Sequence, residues 1–184
     1  MNLDKCITGR LSVRKYRSKK IPKGLIEKIL EAGTWAPSGS NAQPWRFIVI
    51  EDRGAIGRLS KRMKEILSDM PYAAEFKEML ESDKDVIFYG APLLVLVCVK
   101  KQEEWKSVNL LDCGLAAQNM FLKAYELGLG SCLIGLGNFL NGAPDALEEV
   151  GAPGDHELIA PLIFGYPAEE PKPMPRETRV LKWI

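Results

Sequence analysis

Hydrophobic positions recur at helical spacing in several parts of the chain. A first helix is expected at about Leu3–Gly9, and a second begins after Pro22, because proline suits the first helical turn. A longer helix is expected at about Val108–Leu127. Residues 54–82 also follow a charged, surface-lying helical pattern, with a break at Pro71.

Runs of β-branched, aromatic and aliphatic residues predict the strands. Trp45–Ile50 is expected to form the first, and Pro92–Lys100 a central strand that is buried on both faces. A short strand is expected within the glycine-bounded segment 128–135. A short helix near Pro144–Val150 then precedes a last core strand at Leu158–Phe164.

Length and composition indicate one domain spanning residues 1–184, since 46% of the residues are hydrophobic. No apolar run approaches the ~20 residues that cross a bilayer. Asp4 and Lys5 fall where the apolar part of a secretory signal would begin. We therefore expect a soluble, cytoplasmic protein with no membrane partner.

The residues that usually hold metals or act as nucleophiles are sparse. No Cys-x-x-Cys pair exists, so we expect no metal site and reduced, mostly buried thiols at Cys6, Cys98, Cys113 and Cys132. His156 is the single histidine, and no Gly-x-Ser-x-Gly motif accompanies it. A hydrolase with a catalytic triad is not expected, and we assign no catalytic protein nucleophile.

Charge is unevenly distributed, although the net charge is only +1. Residues 1–23 hold eight basic residues and one acid, which gives +7, and the remainder carries −6. Such an excess is typical of a phosphate-binding segment, a nucleic-acid arm or a solvated basic face. Tyr16 is the only aromatic residue in the segment, and base stacking needs more, so we expect no nucleic-acid partner.

Three segments carry candidate chemistry. Arg10, Ser12 and Arg14 alternate, so an extended backbone would place two guanidinium groups and a hydroxyl on one face, as a phosphate requires. The polar turn 37–44 offers donors and acceptors to the edge of a heteroaromatic ring. The glycines of segment 128–137 follow a helix instead of opening one, which excludes a Rossmann fingerprint.

In this order, the three segments resemble the FMN-dependent nitroreductase family. Residues 10–14 (Arg-Leu-Ser-Val-Arg) look like its Arg-Arg-Ser-x-Arg motif, and residues 36–45 look like its Ala-Pro-Ser-x-x-Asn-x-Gln-Pro-Trp signature, the most specific match. Residues 127–135 resemble its Leu-Gly-Leu-Gly-x-x-x-Ile-Gly segment, and residues 165–167 its closing turn. The expected long helix also fits the family at Asp112, Ala116, Gln118, Asn119 and Met120.

The resemblance implies an α+β fold with three α/β/α layers, a central mixed, mainly antiparallel sheet of four or five strands, and an extended C-terminal arm. It also implies a homodimer with FMN at the subunit interface, so that each site takes residues from both chains. One subunit would supply the N-terminal residues and the other the polar turn, and the arginine of the tail would return to the site as a second phosphate ligand. The FMN-binding residues carried over are Arg10, Leu11, Ser12, Arg14, Pro37, Ser38, Gly39, Asn41, Leu133, Ile134, Gly135, Leu136 and Arg176.

Individual roles also follow from the resemblance. Arg10 and Arg176 would bind the phosphate, Arg14 would lie near the pyrimidine edge of the flavin, and the Gly135 N–H would point to its hydride-accepting nitrogen. A fixed cation beside that edge stabilises the reduced flavin more than the oxidised one. Leu11 departs from the family, which often has arginine there.

The activity that the resemblance implies is ping-pong hydride transfer from NADH or NADPH through FMN to a nitroaromatic, quinone or related small-molecule acceptor. Other reactions on the same fold stay open, namely dehalogenation, dehydrogenation and flavin breakdown, as does a flavin-binding protein without turnover. The segment between the first two strands is short, so we expect a small lid, and its residues 60–90 would decide the substrate.

Overall fold

The computed structural model describes residues 2–184. Its helices are α1 (Leu3–Gly9), α2 (Lys23–Thr34), α3 (Arg53–Ser68), α4 (Lys77–Leu80), α5 (Lys106–Glu126) and α6 (Pro144–Glu149). Its strands are β1 (Arg46–Ile50), β2 (Leu93–Lys100), β3 (Gly130–Leu133) and β4 (His156–Gly165). The expected strands, and the expected helices outside residues 54–82, are therefore present with small shifts at their ends.

The four strands form one sheet in the order β1-β2-β4-β3, and each pairing is antiparallel. A parallel component is added by an isolated bridge between Ser12 and Ser131, at the β3 edge. The predicted α+β class and mainly antiparallel sheet are confirmed.

Strand β2 separates two hydrophobic cores, because alternate side chains point to opposite faces of a sheet. One set of its residues packs with α3 and α6, and the other packs with α2 and α5; the two sets are Leu94, Leu96 and Cys98, and Leu93, Val95, Val97 and Val99. Helices thus cover both faces, which gives the three expected layers.

Helix α5 is the long central helix, and it ends at a left-handed glycine. Gly128 has φ of +75°. The Leu129 N–H donates to the Ala124 carbonyl (2.8 Å) and the Gly128 N–H to the Tyr125 carbonyl (3.0 Å). These are the two bonds of a Schellman cap, which satisfies the last carbonyls and turns the chain into β3.

The region between β1 and β2 differs in detail from its predicted helix. Helix α3 ends at Ser68, and after Pro71 only a 3-10 turn at Ala73–Phe76 and the four-residue α4 follow. A 3-10 helix at Gly135–Gly142, which the sequence pattern did not predict, follows β3. Its glycines and asparagines suit the tight turns of a 3-10 helix, and its apolar residues do not alternate with polar ones as they would in a strand.

The C-terminal arm, residues 168–184, leaves the body without regular secondary structure. Its last five residues include the exposed apolar side chains of Val180, Leu181, Trp183 and Ile184. Within residues 2–184, no helix is both long enough and apolar enough to cross a membrane.

Candidate functional site

The N-terminal basic segment lies along the β3 edge of the sheet. Besides the bridge between Ser12 and Ser131, the Val13 N–H donates to the Ser131 carbonyl at 2.9 Å. Val13 is buried against Gly130, where a Cβ atom would lie only 2.6 Å from Val13 Cγ2. Glycine at position 130 is therefore what lets the segment approach the strand this closely.

A second anchor follows at Tyr16. The Tyr16 hydroxyl donates to the Val13 carbonyl at 2.6 Å, and its ring lies where a Cβ on Gly165 would be. Burial raises the pKa of Tyr16, so the hydroxyl stays protonated as a donor. The Arg17 N–H then bonds to the Tyr166 carbonyl at 2.9 Å. Residues 12–17 are thus fixed at both ends.

Arg10 carries a buried, unsatisfied donor. Its Nε has no hydrogen-bond partner within residues 2–184, and the side chain lines a cavity of about 330 Å³ beside residues 128–131. Glu170 also lines this cavity but forms no ion pair with Arg10. Arg62 has a similarly unsatisfied Nε, yet its guanidinium is paired with Glu65 and Asp145. An unpaired, partly buried guanidinium is suited to an anion.

Ser12 and Arg14 are exposed, and neither side chain bonds to another residue of the described chain. The Arg14 guanidinium carbon lies 5.9 Å from the centre of the Tyr89 ring. Tyr89 has a left-handed backbone, with φ of +55°. Its loop is held by Asp85, whose carboxylate accepts hydrogen bonds from the N–H groups of Phe88 (2.9 Å) and Gly90 (3.0 Å).

The segment Leu133–Leu136 lies where β3 ends. The Ile134 N–H donates to the Pro161 carbonyl at 2.9 Å. The Gly135 N–H, in the first turn of the 3-10 helix, donates to no other residue within 2–184. A Cβ on Gly135 would meet no atom within 4 Å, so this backbone is open to an approaching molecule.

The polar turn lies against α5. The Gly39 N–H donates to Asp112 Oδ2 at 3.1 Å, and the Gln43 N–H to Ser38 Oγ at 3.0 Å. Ser40, Asn41 and Gln43 have φ of +50°, +55° and +46°, a left-handed region that L residues other than asparagine rarely enter. Such strain is typical of functional turns.

The structure divides the predicted site residues into two groups. Arg10, Leu11, Ser12 and Arg14 lie with Leu133–Leu136 at the β3 edge. Pro37, Ser38, Gly39 and Asn41 precede β1, which forms the opposite edge of the sheet, three strand spacings or about 14 Å from β3. Arg176 lies in the exposed arm, five residues beyond the Pro171 that lines the Arg10 cavity.

Comparison with known proteins assigns the chain. The model of the nitroreductase family matches residues 7–166. The chain belongs to the nitroreductase family. All three candidate segments lie within the matched residues, namely residues 10–14, the polar turn 37–44 and the glycine-containing segment 128–137.

Relatives extend the assignment. A provisionally named NADH dehydrogenase/NAD(P)H nitroreductase of Methanothermobacter thermautotrophicus is 31% identical over 93% of this chain and 80% of its own length. An iodotyrosine deiodinase of Thermotoga neapolitana is 29% identical over 95% and 93%. The solved structure of a Bacteroides fragilis nitroreductase with bound FMN has a TM-score of 0.86 at 29% identity, over 100% of this chain and 98% of that one.

The hydrogen-bond donors at the β3 edge have the chemistry that fits FMN. The β3 edge combines the unsatisfied Arg10 Nε, the unbonded side chains of Ser12 and Arg14, and the open Gly135 N–H. A phosphate needs guanidinium and hydroxyl donors, and a flavin ring needs an amide donor at close range.

Sequence reasoning assigned no role to Asp85, Tyr89 or Asp112. Asp112 had a signal, because it is a carboxylate at a buried position of a long helix, where carboxylates are rare. Asp85 and Tyr89 had none, because their contacts depend on how the loop folds back over the N-terminal segment.

Proposed function

We propose that the protein is a homodimeric, FMN-dependent NAD(P)H oxidoreductase that passes a hydride to a nitroaromatic, quinone or related acceptor. The observation that carries the proposal is the Arg10 guanidinium, which is partly buried beside residues 128–131 and is paired with no anion of residues 2–184. Family membership and FMN-bound relatives support flavin as the partner of this cation.

When bound, FMN would supply the hydride-transfer chemistry between the nicotinamide and the acceptor, and the residues of this chain would hold and orient it. Arg10 and Ser12 bind the phosphate, with Arg176 reaching it from the arm. Arg14 provides a charge that does not titrate at the pyrimidine side of the ring, and the Tyr89 ring beside its guanidinium restricts the side chain. The Gly135 N–H donates a hydrogen bond to the ring from an open backbone position.

The homodimer is supported by the separation of the two groups of residues. The polar turn and the β3 edge lie on opposite edges of one sheet, so the turn of a second chain is the one that reaches the flavin. Three exposed leucines flank Asp112 on α5 and are suited to burial between chains; they are Leu110, Leu111 and Leu115.

Two measurements test the proposal. Purified protein is titrated with FMN and followed by flavin absorbance, and the holoprotein is then titrated anaerobically with NADH and with NADPH. We expect saturable binding and bleaching of the flavin band by at least one nicotinamide. Failure to bind FMN at saturating concentration rejects the cofactor, and binding without bleaching identifies a flavin-binding protein without turnover.

Reductive dehalogenation is the second candidate, because the iodotyrosine deiodinase relative aligns over almost the whole chain. Two electrons and a proton would replace the carbon–halogen bond with carbon–hydrogen and release halide. The reduced holoprotein is mixed with a halotyrosine or with a nitroaromatic under the same conditions. Halide release that exceeds nitroaromatic reduction would favour the deiodinase-like activity, and the reverse favours the nitroreductase.

A further inference from the structure

Asp112 is a buried carboxylate that pairs with no cation. It lies in the middle of α5 and is 6% exposed, and it forms no ion pair within residues 2–184. A buried carboxylate without a cation is costly, and an apolar residue would pack better there if packing were the only role. Its oxygen instead accepts one hydrogen bond, from a backbone group far away in the sequence.

That bond joins α5 to the polar turn. Asp112 Oδ2 accepts from the Gly39 N–H at 3.1 Å, across 73 residues of sequence. The approach is close, because a Cβ on Gly39 would lie 3.0 Å from Val108 Cγ1. The other bonds of the turn are local, such as the one from Gln43 Nε2 to Asn41 Oδ1 at 3.2 Å.

The turn needs an external constraint because its backbone is strained. Ser40 and Gln43 are held at positive φ, a conformation that is unfavourable for residues of these types. Local bonds alone leave the turn free to relax as a unit. The Asp112 bond joins the third residue of the turn, Gly39, to α5 and therefore restricts the directions in which Ser38 and Asn41 can point.

We infer that Asp112 is a positioning residue, which acts through the Gly39 N–H to hold the turn in the shape that binds the flavin of the second chain. The inference rests on the proposed function for the identity of the ligand. The bond between Asp112 and Gly39 is independent of that proposal and has its own readout.

The test uses the full-length protein and three variants. Asp112→Ala removes the acceptor, Asp112→Asn keeps an acceptor oxygen without the charge, and Glu104→Ala removes an exposed acid just before α5 as a matched control. Hydrogen exchange of the Gly39 amide and the Kd for FMN are measured for each. In Asp112→Ala we expect the exchange rate of the Gly39 amide and the Kd for FMN each to rise about tenfold, because one charge-assisted hydrogen bond is lost.

The variants separate positioning from general stability. Asp112→Asn should recover most of both losses, and Glu104→Ala should match the wild type. If Asp112→Ala does not fold, Asp112→Leu replaces it, because it keeps the volume of the side chain but has no acceptor; we expect the same rises in Gly39 exchange and in Kd, and unchanged values would reject the positioning role.

Two outcomes are distinguishable failures. Wild-type protein that binds no FMN rejects the proposed function. Wild-type protein that binds FMN, with an unchanged Kd in Asp112→Ala or an unchanged Gly39 exchange rate, rejects the positioning role while leaving the proposed function standing.

Discussion

Replacing Arg10 with alanine should weaken cofactor binding strongly while changing the stability of the apoprotein little. In the protein without ligand, the Arg10 Nε is buried without a partner, which costs about 1–3 kcal/mol for a polar group. The alanine variant removes that cost together with some packing of the side-chain stem. We therefore expect the free energy of unfolding of the apoprotein to stay within about 1 kcal/mol of the wild type, or to rise.

The effect on FMN binding should be much larger. A guanidinium bound to phosphate through two charge-assisted hydrogen bonds contributes about 3 kcal/mol, which corresponds to about a hundredfold rise in Kd. Fluorescence titration with FMN measures the Kd, and urea unfolding of the apoprotein measures stability. Arg10→Lys should recover part of the affinity, because it keeps the charge but loses the planar fork.

Arg17→Ala is the matched control. It makes the same change of charge in the same segment, but the Arg17 Nε is already bonded to the Pro167 carbonyl at 2.9 Å. We expect its Kd for FMN to stay within about threefold of the wild type, since screened charges contribute little at a distance. Equal losses in Arg10→Ala and Arg17→Ala would refute the assignment and indicate a general effect of the basic segment.

Three further results are expected. Gly130→Ala should lower the free energy of unfolding by about 1–3 kcal/mol in urea, because the added methyl group overlaps Val13. Deletion of residues 168–184 should convert a dimer to a monomer in analytical ultracentrifugation, since the arm is too apolar to remain exposed; an unchanged mass would reject this role. Burial raises the pKa of Cys98 and of Cys113 to about 12, so the fold favours the neutral thiols and stability should fall as pH rises from about 9 to 12. Each thiol contributes about 1.4 kcal/mol per pH unit in that window, and the double alanine variant should show a shallower loss between pH 9 and 10.

The sequence predicted those parts of the fold that depend on local patterns. Helix α1 begins and ends where its pattern does, and the buried run at Pro92–Lys100 forms β2. The predicted helix over 54–82 divided into shorter pieces at the expected break, because Pro71 cannot continue a helix and disfavours helical backbone in the residue before it. Local periodicity therefore predicts whether a segment forms a helix or a strand better than it predicts where that element ends.

The candidate site depended on contacts that no local pattern contains. The bridge between Ser12 and Ser131 and the bond between Gly39 and Asp112 each join residues that are far apart in sequence. The left-handed backbone of Tyr89 also had no signal, because tyrosine rarely takes that conformation. The motif order identified the family, whereas the contacts that hold each motif in place came only from the fold.

The order of the strands has a consequence for how the protein would behave on dilution. With the polar turn before the strand at one edge of the sheet and the Arg10 segment at the other edge, one chain provides only part of the contacts of the proposed flavin site. Cofactor affinity then includes the free energy of chain association, and it depends on protein concentration. Dilution below the dissociation constant of the dimer should release FMN, so flavin fluorescence would report the dissociation of the subunits directly.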